Sequence, residues 1–332
     1  MSGEASPDAL GGAAAPRRPP FDIERVRALG ILLPFVALFI TLSLASSAFF
    51  TKVNLLDILD QQSGTLMVAA AGTLVMVAGG LDLSVGAVYS LATVTCGHFA
   101  LHLPAGIAIL LGIGVGSLAG LVNGLLVTVL RVNALIATLA MSFVVEGIAE
   151  IATGGNIISL FGKPAFGDLA QTDFLGVKTS IWVMLVPVLG LGLLLSRARA
   201  GRYVYAVGGI AHAARLAGVR VDAIRIMTFV LSGTTAGLAG VIDTSRVLSA
   251  SASTQDTNTL AFTVLAGIVV GGTSILGGDG AVWRTIVGIL FIALIGNGYI
   301  LLGLNALYQQ ITLGVLLIGA VSLDVWTRRR RE

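Results

Sequence analysis

Residues 65–86 read TLMVAAAGTLVMVAGGLDLSVG. From Thr65 to Ala78 no side chain is charged. Then Gly79-Gly80-Leu81-Asp82-Leu83-Ser84-Val85-Gly86 interrupts the apolar run with paired glycines and a carboxylate before a second apolar stretch begins near Ser84. A bare carboxylate at the centre of a membrane helix costs about 2.5–3.5 kcal/mol on insertion scales. Asp82 therefore belongs in a helix break or at an interface, where with Ser84 it is placed to cap the following helix. An apolar run, a glycine break and another apolar run form the pattern of two membrane spans joined by a tight turn.

The rest of the chain repeats this texture. Of 332 residues 56% are hydrophobic and 11% charged, and the mean hydropathy is +0.95, whereas soluble domains carry roughly a quarter charged residues. A span needs about 20 mostly apolar residues. Hydropathy places spans near 29–50, 64–80, 84–101, 104–130, 134–153, 179–196, 226–247, 260–276, 282–302 and 306–325. The reading is an all-α membrane protein of about ten transmembrane helices filling 29–326. Residues 1–28, rich in Ala, Gly and Pro, read as a disordered tail, and 327–332 as a basic tail. The first apolar stretch is longer than a signal-peptide core, so it reads as a retained span.

The basic residues set the orientation. Arg17, Arg18, Arg25 and Arg27 precede the first span and Arg328 to Arg331 follow the last. Arg131, Arg197, Arg199, Arg202, Arg215, Arg220, Arg225 and Arg284 fall on the same side, against Lys52, Lys163, Lys178 and Arg246 opposite. The positive-inside rule then puts both termini in the cytoplasm.

Two loops are long enough to carry function. The outward one, 154–179, has no membrane-length apolar run and is expected to pack over the external mouth. The inward one, 197–225, is basic. Its middle, Ile210 to Ala217, is rich in helix formers between Gly208, Gly209 and Gly218, which reads as a short cytoplasmic docking helix.

Within the spans, Gly112, Gly116, Gly120 and Gly124 recur every four residues and form a stripe against which another helix can lie closely. Asn123 and Asn297 each sit beside a glycine, and an intramembrane amide seeks an interhelical partner or a solute. Glu146 and Glu150 share a helix face that lipid cannot serve, so Glu146 either lines a polar pathway or makes a buried structural bond. Asp243 and Arg246, one turn apart, can pair with each other or meet a polyol. Gly271-Gly272-Thr273-Ser274 with Gly277-Gly278 repeats the glycine-broken turn in the second half.

Other chemistries find little support. The single cysteine, Cys96, excludes an internal disulfide, and with His98 and His102 it lacks the spacing of a metal site. Gly162-Lys163 is followed by Pro164 and lacks the preceding glycine of a phosphate-binding loop, so no ATP site is expected in this chain. No convergent nucleophile, base and metal set points to an enzyme, and nothing points to nucleic acid.

Gly79 to Gly86, Gly208-Gly209 through Ala213-Ala214-Arg215-Leu216-Ala217-Gly218, Gly271 to Ser274 with Gly277-Gly278, and Asn297-Gly298 occur in the order seen in ribose-type permeases. From about residue 30 to 326 the chain resembles the membrane subunit of sugar ABC importers, which include ribose, xylose and autoinducer-2 systems. The resemblance implies a type II-like importer permease in the bacterial inner membrane, surrounded by lipid. It implies a second permease copy, identical or related, two cytoplasmic ATPase subunits holding ATP and Mg, and a periplasmic solute-binding protein. It also implies that the Gly208–Gly218 region carries the coupling helix, and that translocation of a monosaccharide or related polyol proceeds by alternating access. The chain departs from the family at Asn258-Thr259-Leu260, where an acidic residue commonly precedes Leu, at Arg284-Thr285, where a Gly-Thr pair is usual, and at Glu146, often a basic position. The alternatives are a permease for nucleosides or branched-chain amino acids, and an ion-coupled secondary transporter.

Overall fold

The computed structural model describes residues 23–305 and 307–329. Its helices are α1 (Ile23–Ala45), α2 (Lys52–Gln61), α3 (Ser63–Val77), α4 (Val85–Ala100), α5 (Ala105–Thr128), α6 (Ala134–Thr153), α7 (Pro164–Gln171), α8 (Thr179–Arg197), α9 (Arg199–Gly209), α10 (Ala211–Leu216), α11 (Val221–Val247), α12 (Thr254–Val270), α13 (Val282–Leu301) and α14 (Leu307–Arg329). Two short antiparallel ladders accompany them. β1 (Ile158–Ser159) pairs with β4 (Ser249–Ala250), and β2 (Asp173–Phe174) with β3 (Val177–Lys178).

Each of the ten hydropathy segments is helical. α5, α6, α8, α11 and α13 are long and apolar enough to cross a membrane, and shorter apolar helices lie in α1, α3, α4, α12 and α14. α1 begins at Ile23, so residues 23–28 belong to a helix and not to a tail; residues 1–22 and 330–332 lie outside the described residues. Three further expectations need correction. α12 stops at Val270 and not near 276, because Gly272 turns the chain with φ +80°. The inward loop is largely helical: Gly208 and Gly209 close α9, and do not merely punctuate a loop. α2 and α7 have no counterpart among the hydropathy spans, since Asn54, Asp57, Asp60 and Asp168 keep their segments from reading as apolar.

The core forms around α3, whose residues from Leu66 to Val77 are all buried. α11 packs along α3, α4 and α5. The glycine stripe explains how close that packing is: an added Cβ at Gly116 would lie 2.4 Å from the Gly233 carbonyl oxygen, and one at Gly120 2.3 Å from the Phe229 carbonyl oxygen. α11 answers with Gly233 and Gly237, so the seam joins glycine to glycine, backbone to backbone. α12, α13 and α14 form a second group against α3 and α4, with α1 on α13. The 154–179 segment folds against the bundle: Phe166 of α7 is buried, and Ser245 Oγ donates to its carbonyl oxygen at 2.7 Å. Leu110, Phe143, Val186 and Leu193 project outward, the exposed apolar face of a helix bundle in lipid.

Candidate functional site

At the end of the bundle that carries α2, β4 and the start of α14 lies a cleft of about 1270 Å3. Its wall is dense in hydroxyls and amides, including Asn54, Ser63, Tyr89, Ser90, Thr93, Thr257 and Asn297, and also carries the charged Asp243 and Arg246. Asn54 Nδ2 donates to Asn297 Oδ1 at 3.3 Å and Asn297 Nδ2 to Asn54 Oδ1 at 2.8 Å, a reciprocal amide pair that ties α2 to α13 at the cleft wall. Asp243 pairs with Arg246 and accepts from Tyr89 Oη. Arg246 Nη1 also donates to the Asp60 carbonyl oxygen at 2.9 Å, and the buried Asp60 carboxylate accepts from Ser180 Oγ and, at 3.0 Å, from Lys178 Nζ. Two of the four basic residues read as outward meet at this end: Lys178 and Arg246 share Asp60.

Three hydroxyls in this wall are unserved. Ser63 Oγ, Ser90 Oγ and Thr257 Oγ1 are buried, at 1%, 3% and 3% residue exposure, and each lacks a hydrogen-bond partner in the protein. A buried polar group left unsatisfied costs about 1–3 kcal/mol; the three oxygens are almost closed to solvent, so a ligand or water with polar atoms of its own would satisfy them once the wall opens slightly.

Asn123 and Glu146 do not line this cleft. Asn123 is fully buried in α5 and donates from Nδ2 to Ser84 Oγ at 2.7 Å. Ser84 Oγ donates to Asp82 Oδ1 at 2.6 Å, and Ser232 Oγ of α11 to Asp82 Oδ2 at 2.8 Å. Asp82 also accepts from the Ser84 backbone N–H at 3.1 Å, so the helix break is tied to α4, α5 and α11 together. The amide nitrogen is thus spent on the helix break, while Asn123 Oδ1 is buried without a partner. Glu146 lies on α6, on the far side of α4, where its Oε1 is buried without a partner.

At the opposite end, three glycine motifs distant in sequence converge. Gly278 N–H donates to the Val77 carbonyl oxygen at 2.9 Å. A Cβ at Gly208 would fall 1.7 Å from that same oxygen, and one at Gly277 2.9 Å from the Gly79 Cα. Gly79, Gly277 and Gly278 have φ of 81°, 87° and 75°, a left-handed backbone that glycine adopts freely. Tyr205 Oη donates to the Gly280 carbonyl oxygen at 2.6 Å, and Arg284 Nη2 to Asp279 Oδ1 at 3.0 Å. Gly271 lets the turn lie against the Arg284 backbone.

Directly beyond this joint stands α10. Ala214 anchors it among Val207 and Val221, while Ala213, Arg215 and Leu216 are exposed and Gly218 ends it at φ +82°. Sequence reasoning missed Asn54, Asp60, Ser63, Ser90 and Thr257. A lone hydroxyl scarcely lowers hydropathy, although Tyr89, Ser90 and Thr93, close together on one helix, are a faint polar signal.

A multi-pass helical protein with a polar cleft at one end and a short exposed helix at the other is built as a transport permease. Residues 54–321 match the family model for the permease component of branched-chain amino acid transport systems. The chain is 35% identical over 297 residues to the ribose import permease protein of Escherichia coli (strain K12), covering 88% of this chain and 92% of that one. It is 34% identical over 296 residues to the ribose import permease of Bacillus subtilis (strain 168), at 88% and 91% coverage. It is 36% identical over 335 residues to the L-arabinose ABC transporter permease protein of Azospirillum brasilense, at 98% and 95%. No solved structure matches. The chain belongs to the ribose-type ABC importer permease family.

Proposed function

We propose that this chain is the membrane subunit of a binding-protein-dependent ABC importer that translocates a monosaccharide, with a pentose the first candidate. The observation that carries the solute class is the trio of unserved hydroxyls, Ser63, Ser90 and Thr257, in a cleft already rich in amide and hydroxyl groups. A polyol both donates and accepts at every carbon, which suits such a wall better than an apolar side chain would. The names of the ribose and arabinose relatives support the same reading. Asp243, Arg246 and Asn297 border the pathway, and Asn123 and Glu146 act from behind it.

The assembly would have ten spans with both termini in the cytoplasm of the bacterial inner membrane, two permease copies, two ATPase subunits that bind ATP and Mg, and a periplasmic solute-binding protein. The α10 region, from Gly208 to Gly218, docks on the ATPase. Movement of α10 reaches α3 and the 271–280 turn through the glycine joint, and the permease alternates between two states whose balance the ATPase biases. The test is uptake of labelled ribose and L-arabinose by cells lacking their own pentose import, supplied with this chain and its partner genes. Uptake should require an intact ATPase. Uptake that persists without the ATPase overturns the importer reading, and uptake of leucine or a nucleoside in place of pentoses overturns the solute class.

A further inference from the structure

A second cavity, of about 470 Å3, lies at the α10 end between the close of α3, the turn joining α5 to α6, and the start of α11. Arg131, Arg215 and Arg225 all line it, with Thr128 and Asn133, against a single carboxylate, Asp222. Asp222 pairs with Arg215 at 3.4 Å. Among the described residues no carboxylate pairs with the exposed Arg131 or with the half-buried Arg225. Arg131 has a left-handed backbone, φ 55°, an unfavourable conformation for a residue with a side chain and one that tends to persist where it has a use. The pocket thus gathers guanidinium groups from three separate segments and leaves two of them without an anion.

We propose that this cavity binds the phosphate of an anionic phospholipid headgroup from the cytoplasmic leaflet. Guanidinium groups meet phosphate oxygens through paired, charge-assisted hydrogen bonds, and basic pockets on the cytoplasmic side of membrane helices attract anionic headgroups. Position decides between lipid and an acidic segment of a partner protein. Val129 and Leu130, just before Arg131, and Ile136, in the first turn of α6, lie beside the lining residues and are 66%, 65% and 62% exposed, so the surface next to the cavity is apolar where acyl chains would run. The exposed tip of α10, Leu216, projects elsewhere and is not part of the lining. Because Arg215 belongs to α10, a headgroup held here would fix the docking helix against the α5–α6 turn. The proposal needs this end to face the cytoplasm, and it does not depend on which solute is carried.

The experiment uses the full chain, purified in detergent and stripped of lipid, with thermal unfolding followed during titration. Phosphatidylglycerol should raise Tm saturably, while phosphatidylcholine and inorganic phosphate at equal concentration should not. Replacing the arginines (R131Q/R225Q) should weaken the apparent lipid affinity about tenfold, a difference of roughly 1.4 kcal/mol. If that variant does not fold, R131K/R225K retains the charge but not the planar fork, and it should also weaken the phosphatidylglycerol response. An equal shift with phosphatidylcholine, or a phosphatidylglycerol response untouched in the variants, overturns the proposal. A shift with inorganic phosphate alone assigns the pocket to a free anion and overturns the lipid. Absence of any lipid shift, with loss of ATPase co-purification in R131Q/R225Q, makes it a protein dock and overturns it equally. No solute or ATP enters the lipid titration, so its failure leaves the importer reading standing.

Discussion

Ser90 condenses the case for a solute cleft into one side chain. It is buried, it lines the cleft, and its hydroxyl has no partner in the protein. If its role were structural, removing it would weaken the fold; if it waits for solute, removing it relieves an unsatisfied group. Ser90→Ala should therefore leave the unfolding temperature unchanged or slightly raised. It should also weaken solute interaction by about 0.5–1.5 kcal/mol, the net worth of a neutral hydrogen bond. The check is paired: thermal unfolding of the purified chain, and half-saturation of uptake in cells, which should rise roughly 2- to 13-fold by the same arithmetic. A destabilised protein with unchanged uptake would assign Ser90 to the fold. Asn297 shows the limit of a single-residue argument, because its amide is spent on Asn54 and yet borders the cleft.

At the scale of elements, the α5–α11 seam separates two kinds of glycine that look alike in sequence. Gly114 has nothing within 4 Å of an added Cβ, whereas Gly116 has the Gly233 oxygen at 2.4 Å. Gly116→Val should cost at least about 1–3 kcal/mol through overpacking, and more if the helices cannot separate. Gly114→Val should be nearly silent, and comparing the two by thermal unfolding in detergent checks the seam. The four-residue recurrence of Gly112 to Gly124 made the stripe legible, because periodicity alone marks a close-packed face. The ten apolar segments were legible for a different reason, the length of their apolar runs. α2 and α7 were not, because α2 carries polar side chains that hydropathy discounts and that turn out to pair across the bundle, Asp60 with Lys178 and Asn54 with Asn297. The local pairing of Asp82 with Ser84 was readable, although Ser84 makes no side-chain cap bond to α4 and its hydroxyl turns back to Asp82; the extension to Asn123 and Ser232 depends on tertiary contacts between segments up to 150 residues apart, which no local pattern encodes.

Over the whole molecule, the polar cleft and the exposed α10 lie at opposite ends, and the charges sort with them: Lys178 and Arg246 meet near Asp60, and Arg131, Arg215 and Arg225 meet around the second cavity. α10 is anchored by Ala214 but presents Leu216 at 78% exposure. Leu216→Glu should preserve folding, since surface changes generally cost less than about 0.5 kcal/mol. It should nevertheless abolish co-purification of the ATPase, as measured by pull-down from cells expressing the full system; an intact complex would remove α10 from the interface. Next to α10, at its own end of the molecule, sits the meeting of Val77 to Gly79, Gly208 and Gly277-Gly278, where main chain touches main chain. A hinge cushioned by flexible side chains would absorb a small displacement by swapping rotamers. Here the contacts of Gly208 and Gly277 with the 77–79 backbone leave few rotamers to swap, so under the proposed mechanism a push on α10 would reach α3 with little lost on the way, like a stroke through a gear with little backlash.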